Sequence, residues 1–256
     1  MGFKSLNQLC LHLIFLLLAT LGRAEAATLY GVILLDLNAN DISNTVLIDH
    51  QRVTYTLQQI ADRIGMEHHQ ILLKCGENRP RDILNTLRTL ETHPEDVVVF
   101  YFGGHGFRFS TQTSVWPLLY DSRACEILPL DHVIDTLAQK SQHLTLIIAD
   151  CCNNIVTPKI THAFEQPRAF IHDSQITQNF SKLFIQEEGM WVAIGAEPGL
   201  YSYCDKRVGG YFTHALIRAL YELPSQRSEP TWDEILHEAC RRIQKYQKPY
   251  FIKLGH

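Results

Sequence analysis

Val97-Val98-Val99-Phe100-Tyr101-Phe102-Gly103-Gly104-His105-Gly106 decides how this 256-residue chain reads. Six β-branched or aromatic residues in a row, closed by glycine, predict a strand buried on both faces, as in a parallel sheet. A second run has the same form: Leu144-Thr145-Leu146-Ile147-Ile148-Ala149 ends on Asp150-Cys151-Cys152. Ligands of open parallel sheets sit beyond the carboxyl ends of the strands. A histidine and a cysteine at two such ends are therefore expected to share one cleft. There an imidazole can take the proton of a thiol and turn it into a nucleophile.

Outward from these runs, strands alternate with helical patterns. Leu29 to Leu37 is a first apolar strand, followed by a polar loop from Asn38 to Asn44. Val53, Leu57, Ile60, Ala61 and Ile64 mark a helix ended by Gly65. Ile71-Leu72-Leu73 reads as a short strand, and Arg81 to Leu90 as a helix with Pro80 in its first turn. A loop holding Trp116-Pro117 leads to a helix over Asp131 to Ala138, with Asp131 placed as its cap. Asn153 to Gln186 is aperiodic and reads as one long functional or mobile loop. The strand Trp191 to Ile194 and helices over Thr213 to Leu220 and Trp232 to Ile243 follow. This alternation predicts an α/β sandwich around a mainly parallel sheet.

The first residues carry a different message. Lys4, an apolar run from Leu9 to Leu21 and Ala24-Glu25-Ala26 form the three parts of a secretory signal peptide, cleaved after Ala26. The run is short for a membrane span. The expected organisation is a signal peptide over 1–26 and one domain over 27–256, secreted or periplasmic, with no membrane attachment after cleavage. Losing Lys4, Arg23 and Glu25 moves the formal charge from −4 to −5, and no basic stripe invites nucleic acid. Cys75, Cys125, Cys204 and Cys240 leave disulfides open, because their spacing forms no repeating framework. Glu67-His68-His69 is too compact for a tetrahedral zinc site and reads as a solvated turn.

At the two strand ends, His105 is the expected base and later the acid that protonates a leaving amine. The glycines around it let a backbone approach closely and free an N–H for a developing oxyanion. The N–H groups of Gly106 and Cys152 are the nominated pair. Each residue alone has a plainer explanation, since an isolated cysteine at a strand end is usually a small buried hydrophobe. Their joint placement after two long buried runs argues for chemistry.

Together these motifs resemble the caspase-like cysteine peptidases, and the metacaspase and orthocaspase branch more than the animal caspases. Gly103-Gly104-His105-Gly106 resembles the family's Ser-Gly-His-Gly, and Asp150-Cys151-Cys152 its Asp-x-Cys. Gly210-Tyr211-Phe212-Thr213 resembles a Gly-x-Phe-Thr that opens a late helix. The histidine stands 47 residues before Cys152, close to the caspase separation of about 50. The resemblance implies a caspase-like sandwich, catalysis by His105 and Cys152, and a variable position at Cys151. It further implies that Asp150 lines a pocket for the substrate's P1 side chain. A second pocket acid is implied just before the first long helix; Asp49 fits best and Asp41 is the runner-up, with a plain helix cap as the other reading of Asp49. An anionic pocket floor selects a basic P1 residue, so the implied partners are peptides or proteins cut after Arg or Lys.

Two departures mark this chain. Asn153-Asn154 stands where the family has His-Ser-Gly. The acids of the family's calcium site are matched only in part, by Asp121 and Asp131, with Lys159 where a further acid is expected. No cofactor is expected, and a calcium requirement stays open. The altered loop keeps a second reading alive, a catalytically silent caspase-like module that binds a peptide or protein partner. A redox role for the adjacent Cys151-Cys152 is the third, weakened by the strain of a vicinal disulfide.

Overall fold

The two long apolar runs form the central strands of a six-stranded sheet in the computed structural model, which describes residues 27–155, 174–226 and 229–255. The signal-peptide expectation over 1–26, and Lys159, lie outside those residues. The strands β1 (Thr28–Leu35), β2 (Glu67–Lys74), β3 (Val97–Gly103), β7 (Leu144–Asp150) and β8 (Gly189–Ile194) run parallel in the order β2-β1-β3-β7-β8. After a two-stranded antiparallel ribbon of β9 (Cys204–Asp205) and β10 (Gly209–Gly210), a last strand, β11 (Tyr250–Leu254), closes the edge beside β8 in antiparallel sense. Every residue of β3 is buried, as the continuous apolar run requires.

Successive side chains of β3 serve opposite layers. Val97, Val99 and Tyr101 join one core, with helices α1 (Ser43–Ile64), α4 (Ser174–Ser181), α5 (Tyr211–Gln226) and α6 (Trp232–Ile243). Val98, Phe100 and Phe102 join the other, with α2 (Pro80–Thr89) and α3 (Leu130–Ala138). The result is the expected α/β sandwich. Gly65 ends α1 in the left-handed conformation, with φ 74°. Thr231 and Glu234 cap α6 reciprocally, which fixes its start.

Several elements differ from the expectations. The region around Trp116-Pro117 contains a three-stranded antiparallel sheet, β4 (His105–Phe107), β5 (Leu118–Asp121) and β6 (Glu126–Pro129). Strands of three or four residues are too short to show a period. Asp131 does not cap α3: Pro129 occupies that position, and Asp131 accepts a hydrogen bond from Ser114 Oγ at 2.9 Å. The segment taken as one loop contains α4, continued by a π-helical turn over Lys182–Gln186. Glu67-His68-His69 opens edge strand β2 instead of forming a turn, and His68 Nδ1 pairs with Gln58 Oε1 at 2.8 Å. Among the described residues no disulfide joins the six cysteines, and no helix is long and apolar enough to cross a membrane.

Candidate active site

The chain leaves β1 for β2 on one side and returns from β2 to β3 on the other, so the strand order reverses between β1 and β3. A cleft of about 190 Å³ opens at the carboxyl ends there. The turn after β1 brings Asp41 to it, β3 brings Gly103 to His105, and β7 brings Asp150 to Cys152. Tyr201 to Cys204 and Gly210 form the opposite wall, with Lys206 at its end. His105 and Cys152 thus line one cleft.

His105 is half-buried, and its Nε2 lies 2.9 Å from Asp41 Oδ1. Asp41, the runner-up for the second pocket acid, therefore meets the imidazole. Cys152 donates its thiol to Ser202 O at 3.3 Å. Its neighbour Cys151 turns into the sheet's other core, 2% exposed. Burial, and then the neighbouring Cys152 and Asp150, push the Cys151 thiol well up, which makes it a poor source of thiolate. Gly106 packs against both cysteines: a methyl group on it would stand 2.6 Å from Cys151 Sγ and from Cys152 O.

Asp150 and Asp49 lie together, both buried in the interior of the cleft. Asp150 Oδ1 accepts from Ser202 Oγ at 2.7 Å, and Oδ2 accepts from Thr213 N and Thr213 Oγ1, each at 2.8 Å. Burial raises the Asp150 pKa, against the pull of these three donors. Asp49 is less well supplied. Its Oδ2 accepts from Gly210 N at 2.7 Å, while Oδ1 has no hydrogen-bond partner. Burial, and then the charge of Asp150, hold the Asp49 carboxyl well above the usual carboxylate range. Three donors hold Asp150 and a single donor holds Asp49, so the ionised form is the better supported at Asp150. Asp49 is not a helix cap: it lies seven residues into α1, whose cap position is Ile42.

Gly209-Gly210 lets the backbone reach this pair. Gly209 has φ 79°, in the left-handed region. A methyl group on Gly210 would stand 2.8 Å from Asp150 Cγ and 3.0 Å from Asp49 Oδ2.

Sequence reading missed the residues that position the acids and the wall. Gln247 is buried, donates to Gly195 O at 2.8 Å and Ser202 Oγ at 2.9 Å, and accepts from Tyr203 N at 2.9 Å. Tyr101, on β3, shares a hydrogen bond with Thr213 Oγ1 at 2.9 Å. Only Thr213 carried a signal, in the Gly-x-Phe-Thr segment. Asn153, the unusual residue after the cysteine, is a structural tie. Its Nδ2 donates to Val115 O at 2.9 Å, its N–H to Leu200 O at 3.0 Å, and its carbonyl accepts from Gly199 N at 2.7 Å.

The calcium candidates do not converge. Asp121 Oδ1 accepts from Arg123 N and Ala124 N, each at 2.9 Å, and Oδ2 from Gly76 N at 2.5 Å. Among the described residues no group of three His, Cys, Asp or Glu side chains could hold a metal ion.

A family model described as the caspase domain matches residues 48–253. That span is most of the chain, so the protein belongs to the caspase-domain family of cysteine peptidases, hydrolases whose substrates are proteins. It includes Asp49, His105, Asp150 and Cys152, and begins after Asp41. No curated protein matches the chain at a significant level.

Proposed function

We propose that this protein is a secreted cysteine endopeptidase that cuts after arginine or lysine, with His105 and Cys152 as its catalytic pair. The observation that carries the reading is one cleft lined by an imidazole, a thiol and two buried carboxylates. His105 takes the Cys152 proton as the thiolate sulfur bonds to the scissile carbonyl carbon. The N–H groups of Gly106 and Cys152 hold the oxyanion. The carbon–nitrogen bond then breaks, and the amine leaves with the proton from His105. Water, losing a proton to His105, attacks the thioester, and that proton returns to the departing sulfur. Asp150 and Asp49, which both line the cleft, accept the P1 guanidinium or ammonium, whose donors supply the partner that Asp49 Oδ1 lacks. Residues 1–26 act as the export signal and 27–256 as the peptidase domain.

The test compares Cys152→Ala and Cys151→Ala on fluorogenic peptides with Arg, Lys, Asp or Leu at P1. Cys152→Ala is expected to abolish hydrolysis of the basic peptides, while Cys151→Ala retains it. Loss in Cys151→Ala with retention in Cys152→Ala would overturn the nucleophile. A preference for Asp or Leu would overturn the specificity. No Cys152-dependent hydrolysis of any peptide, with or without calcium, would favour the silent binding module.

A further inference from the structure

We propose that Asp41 is the positioning residue of the thiol–imidazole pair, holding His105 in the tautomer that leaves Nδ1 to receive the Cys152 proton. This inference rests on the peptidase reading above. An ionised carboxylate can only accept, so the 2.9 Å contact between Asp41 Oδ1 and His105 Nε2 puts the ring proton on Nε2. A neutral imidazole then has one basic nitrogen, Nδ1. The same carboxylate stabilises the imidazolium once the thiol proton has moved.

Both backbones are fixed independently of this contact. His105 lies in β4, in register with Tyr120 of β5. Asp41 sits in a turn closed by Ile42 N and Ser43 N, which both donate to Ala39 O, at 3.0 and 2.8 Å. Asn38 Nδ2 ties that turn to Cys75 O at 2.8 Å. Two rigid backbones thus present two side chains to each other. The pair's exposure makes a purpose in stability weak, because solvent-exposed ion pairs contribute about 0–1 kcal/mol. Asp36, whose charge also acts on His105, is held by Ser122 N and Ser122 Oγ. It supplies background field; Asp41 makes the contact.

Asp41→Asn and Asp41→Glu test this, through steady-state cleavage of an arginyl peptide and the pH dependence of Cys152 alkylation by iodoacetamide. Cys152→Ala identifies the alkylated site. Asp49, Asp150, Cys151, Tyr201, Tyr203, Cys204 and Lys206 also line the cleft, and with the buried Asp36 they are common to all variants. Asp41→Asn is expected to lower kcat by roughly 10- to 100-fold, part of the 10²–10⁴ typical of acid–base catalysis, with KM within about twofold. Its alkylation limb should move to higher pH, and Asp41→Glu should recover part of both. An unchanged kcat and alkylation limb in Asp41→Asn would overturn the proposal. So would a raised KM with unchanged kcat, which would make Asp41 a substrate-binding acid. If the wild type cleaves no peptide, the peptidase reading fails, and the alkylation limb still decides the role of Asp41.

Discussion

Replacing Gly210 with alanine puts a methyl group against the two buried carboxylates. It would stand 2.8 Å from Asp150 Cγ, 3.0 Å from Asp49 Oδ2, and closer still to Asp150 Oδ2. Asp150 cannot swing aside at no cost, because that oxygen holds both bonds from Thr213. A hydrogen bond to a charged group is worth about 1.5–3 kcal/mol, so losing two costs roughly 3–6 kcal/mol. That is a large share of a typical stability of about 5–15 kcal/mol. Urea unfolding followed by tryptophan fluorescence, with wild type and variant at one pH, reads the difference. The same preparation, assayed with an arginyl peptide under native conditions, should show a raised KM, since Asp150 has left its place. A stability within about 0.5 kcal/mol of wild type, with unchanged KM, would refute the packing argument.

Asp49→Asn should stabilise the protein at neutral pH. Its folded pKa is raised, so its contribution is fully present below the usual carboxylate pKa and is lost as pH rises through the folded value. The gain in urea unfolding should therefore shrink as pH falls towards the ordinary Asp range. His214 works in the opposite sense. Burial, and then Arg52, whose Nη1 lies 3.3 Å from His214 Nδ1, lower its pKa to about 4. Arg218 and Arg242 act the same way, against Glu222. A lowered histidine pKa means stability falls as pH drops from about 6.5 to about 4. At about 1.36 kcal/mol per pH unit that window is worth about 3 kcal/mol, which His214→Gln should remove from the acid limb of the unfolding curve. Asn153→Ala should cost about 1–3 kcal/mol in the same assay by orphaning Val115 O, while its two backbone bonds survive.

The sequence showed most where local pattern and tertiary demand coincide. β3 and β7 are buried on both faces, so their apolar runs are unbroken. The α6 bounds matched because Thr231 and Glu234 mark its start chemically. β4, β5 and β6 were missed because they are stabilised by pairing with one another and not by any period of their own. β11 was missed because an edge strand with an exposed Ile252 and Lys253 lacks a buried run. At the site, His105 and the two cysteines announced themselves through strand ends. Ser202 and Gln247 could not, because their partners lie some 50 residues away in sequence. Asp41 and Asp49 are eight residues apart and looked interchangeable. The start of α1 between them sends Asp49 under Gly210 and leaves Asp41 beside His105.

The arrangement of β7 and β8 bears on what a break in the chain would do. These strands are adjacent and hydrogen-bonded, from Leu144 opposite Gly189 to Ala149 opposite Ile194. The covalent link between them passes through residues 156–173. A cut there would divide the polypeptide but not the sheet. The amino-terminal piece would keep β1, β2, β3 and β7, and the carboxyl-terminal piece β8 and β11. Their joint would be the middle of a buried sheet, sealed by the bonds of Asn153 to Leu200 and Gly199. Such a nicked protein would migrate as two fragments in denaturant and as one particle in native buffer, and its unfolding midpoint would depend on its concentration.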